Sequence, residues 1–205
     1  MLSERLLDVA IDHFGQFGFD GASTRAIARN SGTAMSSITY HFGSKEQLYL
    51  EAARHIGRRM AELQSSALEE ARTKLAGTRE EGIEAVLVLI DSLARMMLQP
   101  ASESWARFIM REQQAPTAAF DALYEGVMKD LSETLVALIR HIRPQQAEPS
   151  ARAMAVLMVG QAMILRGGRA AVCRVLRVDT IDDATGELLR SRLRANVLCI
   201  LSEKS

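Results

Sequence analysis

Cysteine, proline and aromatic residues are all scarce in this chain of 205 residues, with two cysteines, four prolines, a single tryptophan and aromatic side chains at 5%. Cys173 and Cys199 lack CxxC or Cys/His spacing, which excludes a disulfide scaffold and a cysteine metal knuckle; they read as small buried hydrophobes in a reducing compartment. The prolines, at positions 100, 116, 144 and 149, leave long stretches of Ala, Leu, Met, Glu and Arg between them. Those residues are strong helix formers, so an all-α fold is expected. No apolar run reaches the roughly 20 residues a membrane span needs, because Ala151 to Leu165 is broken by Arg152 and Gln161. Glu4, Asp8 and Asp12 stand where a signal peptide would need a positive end and an apolar run, so a cytoplasmic protein is expected. Neither sign of charge dominates, at 25 basic against 25 acidic residues, and 48% hydrophobic with 24% charged is the make-up of a soluble globular chain.

What is present is helical periodicity. Leu6, Leu7, Ala10, Ile11 and Phe14 line one face of a first helix that ends in the turn signal Gly18 to Gly21. Ser23 and Thr24 are cap candidates for a short second helix holding Ile27 and Ala28, and Gly32 suits its left-handed stop. In TAMSSITYHF, Met35, Ile38 and Phe42 share one face and Gly43 closes the segment. Two short helices around a glycine turn make a helix-turn-helix. Ser44 with Gln47 opens a long helix to about Ala76, with Leu48, Ala52, Ile56, Met60, Leu63 and Ala67 as its apolar stripe. Thr78 with Glu81 starts another, carrying Ile83, Val86, Leu87, Ile90, Leu93 and Met97 and stopping before Pro100. Pro116, suited to a first turn, precedes a long amphipathic stripe from Phe120 to Ile142. Residues 150–166 are apolar nearly all round, as for a helix buried on more than one side, and residues 184–201 form a last helix.

The chemistry concentrates in residues 22–50. A helix-turn-helix places its second helix in the major groove, which is wide enough to admit one helix. Ile38 and Phe42 can anchor that helix, leaving Ser36, Ser37, Thr39, Tyr40 and His41 outward as hydrogen-bonding groups. Thr24, the second helix's first amides and Lys45 can hold phosphates. Ser23-Thr24-Arg25, Gly32, His41-Phe42 and Gly43-Ser44-Lys45-Glu46 stand in the order and spacing of the DNA-binding domain of the TetR/AcrR-type bacterial regulators, which this segment resembles. The resemblance implies phosphate contacts from Thr24, Tyr40, His41 and Lys45, with Ser23 at the head of the set, and base-edge contacts from Arg25, Met35, Ser36, Ser37 and Thr39. Thr39 replaces a common Tyr and Met35 a usual polar or basic residue, departures that bear on base specificity; Met35 also fits as a lid beside Ile38.

Through residue 60 there are seven basic residues against six acidic, a weak excess for a DNA binder unless the acids of the first helix face away. The remaining chain has no phosphate loop, no Ser/His/Asp pattern and no metal spacing, so no enzyme chemistry and no cofactor are expected. Trp105, Phe108, Ile109, Phe120, Tyr124 and Met128 lie close in sequence, the make-up of ordinary core or of an apolar effector pocket between helices. Arg111 and Glu112 beside them are candidates for the same pocket: Arg111 could pair with an acidic group on the effector or be neutralised by Glu112, and pairing with Glu112 is the first expectation. RFIMREQQAPTAAFDALYEGVM is similar to the matching segment of the CerR/CecR-like subfamily of TetR regulators, which favours the pocket. The expectation is therefore a helix-turn-helix domain over 1–46 and an all-α effector-binding and dimerisation domain over 47–205. Its partners would be a palindromic double-stranded DNA operator, a small-molecule effector and a second copy of itself. A repressor is the first reading; the alternatives are a TetR-like activator and a helical enzyme or carrier with a vestigial helix-turn-helix.

Overall fold

The computed structural model describes residues 2–202, which form helices and no strands. In chain order they are α1 (Leu2–Gly21), α2 (Thr24–Ser31), α3 (Met35–Phe42), α4 (Lys45–Thr73, continued by a 3-10 turn at Lys74–Ala76), α5 (Arg79–Leu98), α6 (Ser102–Gln114), α7 (Ala118–Leu123), a π-turn (Tyr124–Met128), α8 (Lys129–Ile142), α9 (Glu148–Gly167), α10 (Arg169–Leu176) and α11 (Asp183–Ser202). Contacts divide the chain into two compact units, Met1–Ala61 with Ala101–Met128, and Glu62–Pro100 with Lys129–Ser205.

In the first unit α1 packs on α2 and α6, and α2 on α3. Leu6, Leu7, Ala10, Ile11 and Phe14 are all buried, as their spacing predicts. Phe14, Phe19 and Phe108 gather around Tyr49, with ring centroids 4.8, 5.3 and 4.6 Å from it. Such aromatic pairs contribute about 0.5–1.5 kcal/mol each beyond the area they bury. α1 breaks at Gly18, whose φ of 74° and ψ of 176° only glycine adopts without strain. The break frees carbonyls, and Arg111 of α6 collects two of them, donating to Gly15 O and Gln16 O, each at 2.9 Å. Pro116 stands outside the first turn of α7, because Thr117 is its N-cap and accepts from Ala119 N. The expected long helix from Phe120 to Ile142 is interrupted by the π-turn.

In the second unit α5 is central and packs on α8, α9 and α11. The capping box Thr78–Glu81 forms as expected, and burial of Ala85, Leu89, Ala94 and Met96 beside the expected stripe makes α5 a helix enclosed on several sides. Its C-terminal carbonyls, at Met97 and Gln99, are taken by the buried guanidinium of Arg166 at 2.8 and 2.5 Å. α9 corrects its expectation: one side is buried through Ala151, Ala155, Met158, Ala162 and Leu165, while Val156, Leu157 and Ile164 are 70%, 65% and 52% exposed. The stripe of α4 is also corrected. Past Met60, burial follows Gln64, Leu68 and Ala71, and Leu63 turns outward. Cys199 is exposed and Cys173 half-buried, so neither is the buried hydrophobe expected. No single helix among the described residues is long and apolar enough to cross a membrane.

Candidate nucleic-acid interface and effector site

Capping builds the helix-turn-helix. Ser23, in extended backbone, accepts from Ala26 N at 3.4 Å and starts α2. Gly32, at φ 73° and ψ 28°, ends it in the left-handed region, and the following amide of Thr33 bonds Ala28 O at 2.9 Å. Three residues later α3 begins, and Ile38 is its one buried side chain. The helix therefore lies on the core by a narrow edge and presents the rest of its surface. Ser36, Thr39, Tyr40 and His41 are exposed, Tyr40 to 85%, and Ser37 is half-buried. Met35 is 41% exposed, more than a lid over Ile38 would be. Arg25 is exposed at the start of α2, beside a half-buried Thr24.

Lys45 opens α4, with its ammonium on the Asp20 carbonyl at 3.2 Å and 4.8 Å above the Phe19 ring. Ser44 caps this helix by accepting from Gln47 N at 3.2 Å. The same hydroxyl holds the Glu46 carboxyl below the usual range. Two acids of α1 are paired within the protein: Asp8 takes Arg59 at 2.7 Å and Asp12 takes Arg107 at 2.8 Å. Arg59 is one of the seven basic residues of the first sixty, so its pair with Asp8 leaves their balance unchanged, whereas Asp12 is neutralised by Arg107 from outside that stretch and the basic excess rises by one.

The aromatic set divides. Trp105, Phe108 and Ile109 are buried; Phe108 stacks on Tyr49 and Trp105 carries the Arg59 guanidinium 5.4 Å from its ring. Phe120 and the exposed Tyr124 stack on each other at 6.4 Å along α7 and the π-turn, ending at a half-buried Met128. Arg111 and Glu112 do not pair. Helical geometry points neighbours in different directions, so Arg111 reaches the broken end of α1 while Glu112, 2% exposed, accepts from Tyr49 Oη at 2.6 Å and from the amide and hydroxyl of Thr117 at 3.1 and 2.9 Å. Burial, and then the Glu112 carboxylate, push the Tyr49 phenol far up, so it remains a donor. Tyr49 was missed from sequence because it follows Leu48 on the inner face and looks like core. Among the described residues no cluster of His, Cys, Asp or Glu is suited to a metal.

Residues 6–52 match the family described as bacterial regulatory proteins, tetR family, and residues 83–203 match the C-terminal domain of the HTH-type transcriptional dual regulator CecR. The chain belongs to the TetR family, with a CecR-type C-terminal domain. The CecR regulator of Shigella flexneri is 28% identical over 97% of this chain and 90% of its own length. RutR of Escherichia coli is 41% identical over 25% of this chain and 24% of its own, a likeness confined to one region. In fold, the crystal structure of AibR, a complex with isovaleryl coenzyme A and operator DNA, aligns at TM-score 0.72 and 12% identity, covering 96% of this chain and 97% of that one. TetR-family proteins of this kind are transcriptional regulators rather than enzymes.

Proposed function

We propose that this TetR-family protein is a cytoplasmic homodimeric repressor that holds a palindromic operator and releases it when a small molecule binds. The supporting observation is the outer face of α3, where hydroxyl, phenol and imidazole groups stand clear of a helix whose one fully buried side chain is Ile38, with Phe42 half-buried beside it. In this reading residues 1–46 bind DNA. Met35, Ser36, Ser37 and Thr39 of α3, with Arg25, meet base edges, while Ser23, Thr24, Tyr40, His41 and Lys45 meet phosphates. Residues 47–205 bind the effector and dimerise, α9 and α11 joining two copies so that two reading helices lie about 34–36 Å apart, one turn of DNA, or at a somewhat longer matched spacing. Lys45 leaves the Asp20 carbonyl for a phosphate on binding.

The Shigella relative's name, a dual regulator, favours a second reading in which some promoters are activated through the same contacts. A footprint on the chain's own upstream region, with salt-dependent affinity measured alongside, tests the proposal. A protected palindrome and a steep salt slope are expected; uniform, sequence-independent affinity would overturn it.

A further inference from the structure

On α4, Gly57 faces Gly126 of the π-turn, and a Cβ on Gly126 would stand in van der Waals contact, 3.4 Å from the Gly57 Cα. The backbone of the turn thus lies beside that of the long helix with no side chain between them at this point. π-turns of this kind concentrate at functional sites, where they re-aim the residues around them. Beside the crossing opens a cleft of about 400 Å³, lined by Ala61 and Ala122 and rimmed by Arg54, Arg58 and Glu125. The cleft is shallow and open, so it would hold a small ligand by one side and leave the other to solvent. Glu51 holds Arg54, whereas the exposed Arg58 makes no hydrogen bond or ion pair with any described residue. Residues 54 and 58 are four apart and share a helix face. Two guanidinium forks on one face, one of them uncommitted, match the paired oxygens of a carboxylate or phosphate.

We propose that this cleft binds a small effector carrying an oxyanion, with Arg58 and Arg54 gripping the anion and Ala61 and Ala122 covering a short apolar body. The proposal rests on the effector-controlled reading above and moves the effector off the Trp105–Phe108 cluster, whose rings are occupied by Tyr49 and Arg59. It keeps the stacked Phe120 and Tyr124 nearby, on the same stretch of chain as Ala122 and Gly126. An occupant braces the π-turn against α4, the helix that begins at Lys45, and through that helix ligand and operator change each other's affinity by one common factor.

Calorimetry on the full-length protein without DNA, at constant ionic strength, tests the site with octanoate, octyl phosphate and the neutral isostere octanamide. The oxyanions are expected to bind about tenfold or more tightly than the amide, the margin of a charge-assisted fork, and the tighter of the two identifies the head group. Arg58→Gln removes the margin. Ala61→Phe fills the cleft and abolishes oxyanion binding, while ligand-free operator affinity is unchanged. Equal affinity for amide and oxyanions, no binding of either oxyanion, or full oxyanion binding by both variants overturns the site. Operator release by octanoate that persists in Ala61→Phe places the effector elsewhere and also overturns it. Oxyanion binding that leaves operator affinity untouched keeps the site and overturns only its regulatory role.

Discussion

Helices α3 and α9 each leave one face bare, and the two faces are bare of opposite chemistry. α3 is eight residues held by the single buried side chain of Ile38, with hydroxyls, a phenol and an imidazole turned outward. α9 is twenty residues with a full buried edge, and what it turns outward is Val156, Leu157 and Ile164. A polar face loses little by meeting water and gains by meeting a partner with matching donors and acceptors. An exposed aliphatic face gains roughly 1.5–3 kcal/mol per large side chain when it leaves water, whatever the partner's detail. The first suits a face that reads a sequence; the second suits one that holds an assembly together.

Charge placed on the α9 face breaks the comparison most severely. Leu157→Glu changes an exposed residue, so the stability of the single chain is expected to move by no more than about 0.5 kcal/mol. In a dimer the same carboxylate would be buried without a partner, at a cost of several kcal/mol. Sedimentation should show dissociation, and operator affinity should fall by about 100-fold or more, because two linked half-sites become one. Gly160 offers a sharper variant, since a Cβ there meets nothing within 4 Å in the single chain. Gly160→Trp should fold and fail to dimerise; a variant that stays dimeric would show that α9 is not the interface.

On α3 the effects are smaller and selective. Thr39→Ala is expected to lose about 1–3 kcal/mol against the operator and little against random DNA, as a base-edge contact should. Lys45→Ala should weaken both and lower the salt slope by roughly one. Gel-shift titrations at three salt concentrations separate the two outcomes. The free structure bears on Lys45: its hydrogen bond to Asp20 and its place over Phe19 also brace α1 against α4. Lys45→Arg should therefore retain most of the affinity if phosphate contact is the dominant role.

Elements with strong local signals were legible from sequence. The Thr78–Glu81 box, the Ser23 cap and the left-handed Gly32 depend on residues three or four apart, so short-range pattern suffices. What escaped depends on partners distant in sequence. Leu63 and Gln64 both extend the α4 stripe by spacing, yet Gln64 is the one buried, against Met96, at the expense of a buried Oε1 with no partner among the described residues. Arg111 and Glu112 look like a pair because they are adjacent, but Arg111 is drawn to α1 and Glu112 to Tyr49 of α4, distant partners that no local pattern brings to them, with only Thr117 supplied from nearby. The bare face of α9 has the same cause in reverse: apolar composition reveals how much surface is to be covered, not whether the cover is the chain itself or another copy.

The smallest expected effects compare the polar ties that hold each unit. Glu112 in the first unit is satisfied by neutral donors in a buried site, and Tyr49→Phe is expected to cost about 1–2 kcal/mol in denaturant unfolding because a buried carboxylate loses one of its three hydrogen bonds. Asp91 in the second unit lies nearer solvent and joins α5 to α11 through Arg190, at 2.6 and 2.8 Å, with Arg95 also on it at 2.8 Å. Partial burial pushes the Asp91 carboxyl up, but the hydrogen bonds from Arg190 and Arg95 outweigh it and hold the group below its ordinary value. A carboxyl depressed in the folded state releases its proton earlier there than in the unfolded chain, so it stabilises the fold above the unfolded pKa of about 4 and loses that contribution as pH falls through the lower folded value. Asp91→Asn should therefore cost about 1 kcal/mol or less at neutral pH, where solvent screens the pair. The difference from wild type should shrink steadily below about pH 4. Unfolding curves at pH 7 and pH 3 measure it, and a gap that is unchanged or wider at the lower pH would show that Asp91 contributes through packing rather than through its charge.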